Sequence, residues 1–244
     1  MVTPRPRPQA AGASAHARYR ALLAEGRTRR MTVRAGLALG VLAVVTWLWD
    51  WRAGLVMAGL VAGADVVYRW RTHEAVRTWR KGALGERRTA RMLRPLTRRG
   101  YTVLHDRALP YGRANVDHLV IGPTGVFVVD TKNWSKKRRV TRRGRYVRVG
   151  RTSGDKAVGS VIYEAGRVGE VLAAAVGRPV EVVPVVAIHG ATVPVLRIMR
   201  VSGVPLLRAS HVRGWIARQR GGLSAPQVAE ISSAAERLLP PYME

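Results

Sequence analysis

The sequence contains no cysteine. Disulfide frameworks and thiolate-held zinc or iron–sulfur centres are therefore excluded, and a reducing compartment is compatible. Acid is scarce as well. Against 42 Lys and Arg stand 15 Asp and Glu, a net charge of +27 over 244 residues. A surplus of that size favours polyanionic partners, nucleic acid or anionic lipid, and says little of fold. Lysine, asparagine and phenylalanine number five, two and one. The crowding of Ala, Arg, Gly and Val matches GC-rich coding, which replaces lysine by arginine wherever either serves. The exceptions cluster. Asn115, Asn133, Phe127, Lys132, Lys136 and Lys137 all lie in or just after one stretch, Asn115–Trp134. A lysine kept at 132 points to a need for a compact ammonium.

That stretch reads NVDHLVIGPTGVFVVDTKNW. Two β-branched runs flank Gly122-Pro123-Thr124-Gly125, the signal of a β-hairpin. Period-two alternation puts Asp117, Leu119 and Ile121 on one face of the first strand. In the second it groups Val126, Val128, Asp130 and Lys132. Two acids and a lysine at the ends of paired strands suggest a metal-dependent phosphodiesterase site, because converging carboxylates are what a hard divalent cation needs. An acid and lysine two apart are otherwise a solvated pair. His118 alternates to the face opposite Asp117, which favours a structural or surface role over a ligand.

Before the hairpin, residues 1–18 are rich in Pro, Arg, Ala and Ser and carry no apolar period, the composition of a disordered tail. A short Arg-rich helix is expected over Arg18–Arg30. Ala35–Trp49 is uncharged, and Ala53–Tyr68 carries one acid, Asp65. Each run makes roughly 23 Å of helix against a hydrocarbon core of ~30 Å, so length alone is borderline. Arg27, Arg29, Arg30 and Arg34 precede the pair; Arg69, Arg71, Arg77 and Arg80 follow it. Positive-inside logic puts both ends in the cytoplasm and Asp50–Arg52 outside. Trp47, Trp49 and Trp51 cluster at the turn, with Tyr68 and Trp70 at the other end, like aromatic belts. Gly36, Gly40, Gly54, Gly59 and Gly63 would permit close helix contact. The expectation is a membrane anchor over residues 35–68, with the following domain in the cytoplasm. The alternative is a helical pair buried in a soluble, cytoplasmic domain.

His73–Thr97 reads as helix, interrupted by Gly82 and Gly85. Glu86 on it could reach a metal held by the strand pair, or pair with Arg87 or Arg91. Tyr101–Arg107 reads as a strand and Leu109–Ala114 as a loop. Lys132–Arg151 holds ten basic residues and no acid, with Trp134 and Tyr146 interleaved. Lys136, Lys137, Arg138, Arg139, Arg142, Arg143, Arg145 and Arg148 either form a solvated hairpin or grip phosphates beside the site. Asp155–Val176 reads as a second helix stopped at Gly177, and Val180–Ile188 as a strand buried on both faces. Val193–Val201 and Val204–Leu207 suit edge strands, given Pro194 and Pro205. His211–Arg220 and Ser224–Leu239 read as helices. The latter has Ser224 and Gln227 at capping-box spacing and Leu223 and Val228 as a staple.

Gly82-Ala83-Leu84-Gly85-Glu86, Asn115-Val116-Asp117-His118, the turn at Gly125 and Asp130-Thr131-Lys132-Asn133 together resemble the nuclease-related domain (NERD). That family is a branch of the PD-(D/E)XK restriction-endonuclease-like superfamily, and the resemblance spans residues ~80–190. It implies an α/β fold with an αβββαβ core, a mixed sheet flanked by helices, here preceded by the two-helix hydrophobic hairpin. It also implies a Mg²⁺ or Mn²⁺ site from Glu86, Asp117 and Asp130, with Lys132 as the fourth catalytic residue and nucleic acid, chiefly DNA, as partner. Two departures stand out: the family usually has Glu where Asp130 stands, and a glutamine early in the second helix, absent between Asp155 and Val176. The expected organisation is a tail over 1–30, a hairpin over 31–71, a nuclease-like domain over 72–200 and a C-terminal helical extension over 201–244 packing on it.

Overall fold

The computed structural model describes residues 27–110, 114–194 and 198–242. The expected tail, the Arg18–Arg30 helix as far as residue 26, and positions 111–113 of the loop lie outside the described residues. So do the side chains of Asp65, Trp70, Ala75, Trp79 and the arginines flanking the apolar pair. The chain divides into two compact units after Arg80.

The first unit holds α1 (Arg27–Leu48) and the part of α2 (Trp51–Leu93) up to Arg80, joined by a tight turn at Trp49-Asp50. The Gly54 amide donates to the Asp50 carbonyl there, 3.1 Å. Of the five glycines expected at a helix contact, Gly54 fills that role: a Cβ on it would collide with Thr46 and Leu42 of α1. Gly36, Gly40, Gly59 and Gly63 have open space around them instead. The apolar side chains face outward. Trp47 and Trp49 are each 84 % exposed, and Leu37, Leu39, Val56 and Leu60 are also exposed. Trp51–Tyr68 is long and apolar enough to cross a membrane; Ala35–Leu48 is shorter. No helix break separates the second apolar run from the expected His73–Thr97 helix, because α2 continues to Leu93.

The second unit is built on a six-stranded sheet. Its strands are β1 (Thr102–Ala108), β2 (Asn115–Gly122), β3 (Gly125–Asn133), β7 (Val182–His189), β8 (Met199–Val201) and β9 (Val204–Arg208), in the order β1-β2-β3-β7-β9-β8. The expected hairpin forms around the expected turn: Gly122 pairs with Gly125, Val120 with Phe127 and His118 with Val129. Gly125 has φ +124°, a conformation the turn requires and side chains resist. β3 then pairs in parallel with β7, from Val126–Val182 to Asn133–His189. A parallel neighbour needs a long crossover. Here it contains the small sheet described below and helix α3 (Asp155–Val176), which ends at Gly177 in the left-handed conformation, φ 69°.

Alternation fills the two faces separately. Leu119, Ile121, Val126, Val128, Val186 and Ile188 pack with Val158, Val161 and Val168 of α3 and with Val228 and Ile231 of α5 (Ala225–Leu238). Val120, Phe127, Val129 and Val185 pack on the other face with Leu93, Leu96 and, from α4 (Ala209–Ile216), Val212, Trp215 and Ile216. The capping box at Ser224–Gln227 starts α5 as expected.

Two expectations change. β9 is not an edge strand; it lies between β7 and β8. It meets β7 only from Leu206 onward, so the missing amide of Pro205 takes nothing from that ladder. For the same reason the chain after residue 200 continues the sheet before it turns helical. The Lys132–Arg151 run folds into a second sheet of β4 (Val140–Arg143), β5 (Tyr146–Val149) and β6 (Thr152–Ser153). Val140, Val147 and Val149 plug it into the main core, each 1 % exposed or less.

Candidate functional site

The β2–β3 ladder ends at His118–Val129. One residue further the strands part, and the Thr131 amide donates to Asp117 Oδ2, 2.8 Å. At this end Asp130 and Lys132 share a face, as their spacing predicts, and Lys132 Nζ donates to Asp130 Oδ1, 2.7 Å. The Asp130 side chain is 5 % exposed and that of Lys132 31 %. The pair therefore differs from a surface ion pair: its carboxylate is desolvated.

Glu86 comes from α2. Gly85 makes its approach possible, since a Cβ there would lie 3.0 Å from Asn133 Cβ and 3.3 Å from Thr131 Cγ2. Asn133 Nδ2 donates to the Lys81 carbonyl, 2.7 Å, and ties the same helix to β3. Glu86 is pushed up to about 7 by burial first, then by Asp106 and Asp130. Its environment is thus set by the sheet carboxylates, with Arg87 the lesser influence. Burial, then Glu86 and Asp130, hold Asp117 well above the usual carboxylate range. Burial raises Asp130 against the pull of Lys132. Burial alone would lower Lys132, but Asp130 and Asp117 outweigh it and raise it. The ammonium stays charged because the acids surround it.

Two further acids belong to this cluster. Asp106, on β1, is 1 % exposed, has φ +52°, and accepts from Asn115 Nδ2 at 2.9 Å. Glu164, on α3, is 8 % exposed and is pushed up to about 8 by burial, then by Asp130. Glu86, Asp106, Asp117, Asp130 and Glu164 are a third of the 15 acids in a chain of net charge +27. Glu164 had a sequence signal. It sits at the helical spacing of Val161, Ala165 and Val168, an acid on an otherwise apolar stripe. Asp106 had none beyond being the next acid after Glu86.

Among the described residues no group of three or more Asp, Glu or His side chains is placed to hold a metal ion. The donor chemistry nevertheless fits a hard cation. The acids repel one another, and Asp130 Oδ2 is buried without a hydrogen-bond partner, the kind of orphan a hard cation satisfies.

The opposite face of the same strands carries a continuous polar chain. His105 Nδ1 and His118 Nδ1 are 2.9 Å apart, and His118 Nε2 lies 3.3 Å from Thr131 Oγ1. Thr131 Oγ1 donates to Thr89 Oγ1, 3.0 Å, which lies 2.8 Å from His189 Nε2. Burial lowers the pKa of all three histidines. His118 is therefore a buried structural group, and Thr89 fastens the helix that bears Glu86.

The eight basic residues of the second sheet and its lead-in are all exposed. In β5, Tyr146 and Arg148 face out while Val147 and Val149 face in. Arg142, Arg145 and Arg148 donate to Gly144 O, Tyr146 Oη and Arg151 O respectively, so their hydrogen bonds go to uncharged acceptors.

Residues 81–189 match the profile of the nuclease-related domain. This segment is a NERD domain. The family belongs to the PD-(D/E)XK-like superfamily, and the order α2, β1, β2, β3, α3, β7 is the restriction-endonuclease-like αβββαβ core. The NERD segment contains Glu86, Asp106, Asp117, Asp130, Lys132 and Glu164, while β8, β9, α4 and α5 lie outside it. An uncharacterized protein of Bacillus anthracis is 47 % identical over 57 residues, which are 22 % of this chain and 27 % of the relative. The chain thus spans about a quarter of that relative's length. No solved structure matches.

Proposed function

We propose that this NERD domain hydrolyses phosphodiester bonds of nucleic acid, DNA in the first instance, with Mg²⁺ or Mn²⁺. The observation that carries the reading is the group of buried acids, Glu86, Asp117 and Asp130, each raised first by its burial, beside the Lys132 ammonium, 2.7 Å from Asp130. Asp117 and Asp130, with Glu86, would hold the cation, which when bound supplies an acidified water and polarises the phosphate. Lys132 would orient the attacking water and stabilise charge developing on the phosphate oxygens. Its raised pKa keeps it a cation at neutral pH. Lys136, Lys137, Arg138, Arg139, Arg142, Arg143, Arg145 and Arg148 hold the backbone phosphates in a sequence-blind, salt-sensitive grip. Outward-facing apolar side chains from Leu37 to Tyr68 support a membrane anchor, and the arginines in the sequence on both its flanks favour the cytoplasmic side for the domain.

The test is cleavage of plasmid DNA by detergent-solubilised full-length protein with Mg²⁺ or Mn²⁺. Asp117→Ala and Lys132→Ala should abolish cutting while DNA retention persists. Wild-type protein that leaves both DNA and RNA intact with either metal overturns hydrolysis. One observation favours a second reading. Lys132 occupies one oxygen of Asp130, and Asp is one methylene shorter than the Glu usual in the family. A domain that binds nucleic acid or protein without cutting would retain DNA equally with and without metal. For the anchor, full-length protein found wholly in the soluble fraction refutes it.

A further inference from the structure

The buried face of α3 consists of Ala157, Val158, Val161, Glu164, Ala165, Val168 and Leu172. Glu164 is the one polar member. It is 8 % exposed, and its Oε2 is buried without a hydrogen-bond partner. A leucine there would extend the apolar stripe at no electrostatic cost, whereas a buried carboxylate without a partner costs several kcal/mol. Such a group in a native fold calls for a missing partner.

The surroundings name that partner's charge. Helix α3 packs on β3, the strand that carries the Asp130–Lys132 pair, and Asp130 reinforces the upward push on the Glu164 carboxyl while Lys132 opposes it. Asp130 is 4 % exposed and has the same defect: Oδ1 accepts from Lys132, and Oδ2 is buried with nothing to bind. Two carboxylates, one from β3 and one from α3, thus each keep a buried, unpartnered oxygen within reach of the other's field. Lys132 is already engaged. A divalent cation can satisfy both at once.

We propose that Asp130 Oδ2 and Glu164 Oε2 share a divalent cation, which makes Glu164 a metal ligand of the NERD domain supplied by its second helix. The inference rests on the reading of this centre as a metal site. It adds an acid from outside the three strands and the first helix. It also explains why α3 buries a carboxylate where its stripe is otherwise apolar.

The rival is a protonated Glu164 that merely fills space. Binding of Mn²⁺ alone to the full-length protein, measured by calorimetry and by the electron-spin signal of free Mn²⁺, separates the two. Glu164→Gln keeps the shape and removes the charge. Glu164→Leu suits the stripe and guards against misfolding. Both should raise the Kd for Mn²⁺ at least tenfold, with an undiminished melting temperature in the metal-free protein. Unchanged Mn²⁺ affinity in these variants, with affinity lost in Asp117→Asn, overturns the role of Glu164 and leaves the proposed function standing. Wild-type protein that binds no Mn²⁺ at millimolar concentration overturns both.

Discussion

The two faces of one sheet end carry two buried polar clusters of opposite character. On one face His105, His118, Thr131, Thr89 and His189 form an unbroken polar chain, its links 2.8–3.3 Å long and every linking atom partnered. On the other, Asp130 Oδ2 and Glu164 Oε2 have no partner, and their acids repel. A satisfied buried network rigidifies; an unsatisfied one costs stability unless something binds. The first cluster therefore reads as scaffold and the second as site. The strands connect them: Thr131 donates its hydroxyl to Thr89 on one side and its amide to Asp117 on the other.

The largest expected effect tests the open face. Asp117→Ala should lower Mg²⁺-dependent cleavage by about 10³-fold or more, as removal of a group acting in the transition state does. Turnover that survives this substitution would move the site elsewhere.

Breaking the satisfied face should cost stability. His118→Leu leaves His105 and Thr131 without their buried partner, and each orphan costs about 1–3 kcal/mol. Urea denaturation should report a loss of roughly 2–4 kcal/mol, with metal affinity retained in the folded fraction. A neutral result would make the histidine chain dispensable and erase the contrast between the faces.

The pH dependence sharpens the comparison. Glu86 and Glu164 rise from 4.5 to about 7 and about 8 on folding. Between those limits the folded protein keeps protons that the unfolded chain releases. Stability contributed by these groups is complete below pH 4.5, falls as pH rises through the window and levels off above about 8. The metal-free protein should lose on the order of 6 kcal/mol between pH 5 and 8, and Glu164→Leu should flatten the curve. The same slope in Glu164→Leu would assign the effect to other groups.

The smallest effect lies on the basic sheet. Replacing Arg142, Arg143, Arg145 and Arg148 with Gln should weaken DNA retention about tenfold at moderate salt. It should also flatten the slope of log K against log salt by about 0.9 for each phosphate that is no longer neutralised. Melting should not change, because these side chains are exposed and the valines beneath them hold the sheet. An unaltered salt slope would leave them as solvated charge.

Local chemistry was readable wherever neighbouring residues decide it. Period-two alternation around Gly122-Pro123-Thr124-Gly125 determined the hairpin and put Asp130 and Lys132 on one face. Gly177 determined the end of α3, and Ser224 with Gln227 the start of α5. These features rest on strand geometry, left-handed turns and helix caps, all of which act within a few residues. What the tertiary structure alone decided involves partners distant in the chain. Alternation put His118 opposite Asp117 but could not supply His105 and Thr131 as its partners. Gly85 looked like a helix interruption until β3 lay against it. Pro205 suggested an edge strand until β8 took the edge. Glu164 sat in plain view on an apolar stripe, and only the packing of α3 on β3 brought it into the field of Asp130 and Lys132. Periodicity tells a side chain which way to face; the identity of what it meets there depends on segments whose separation along the chain carries no local signal.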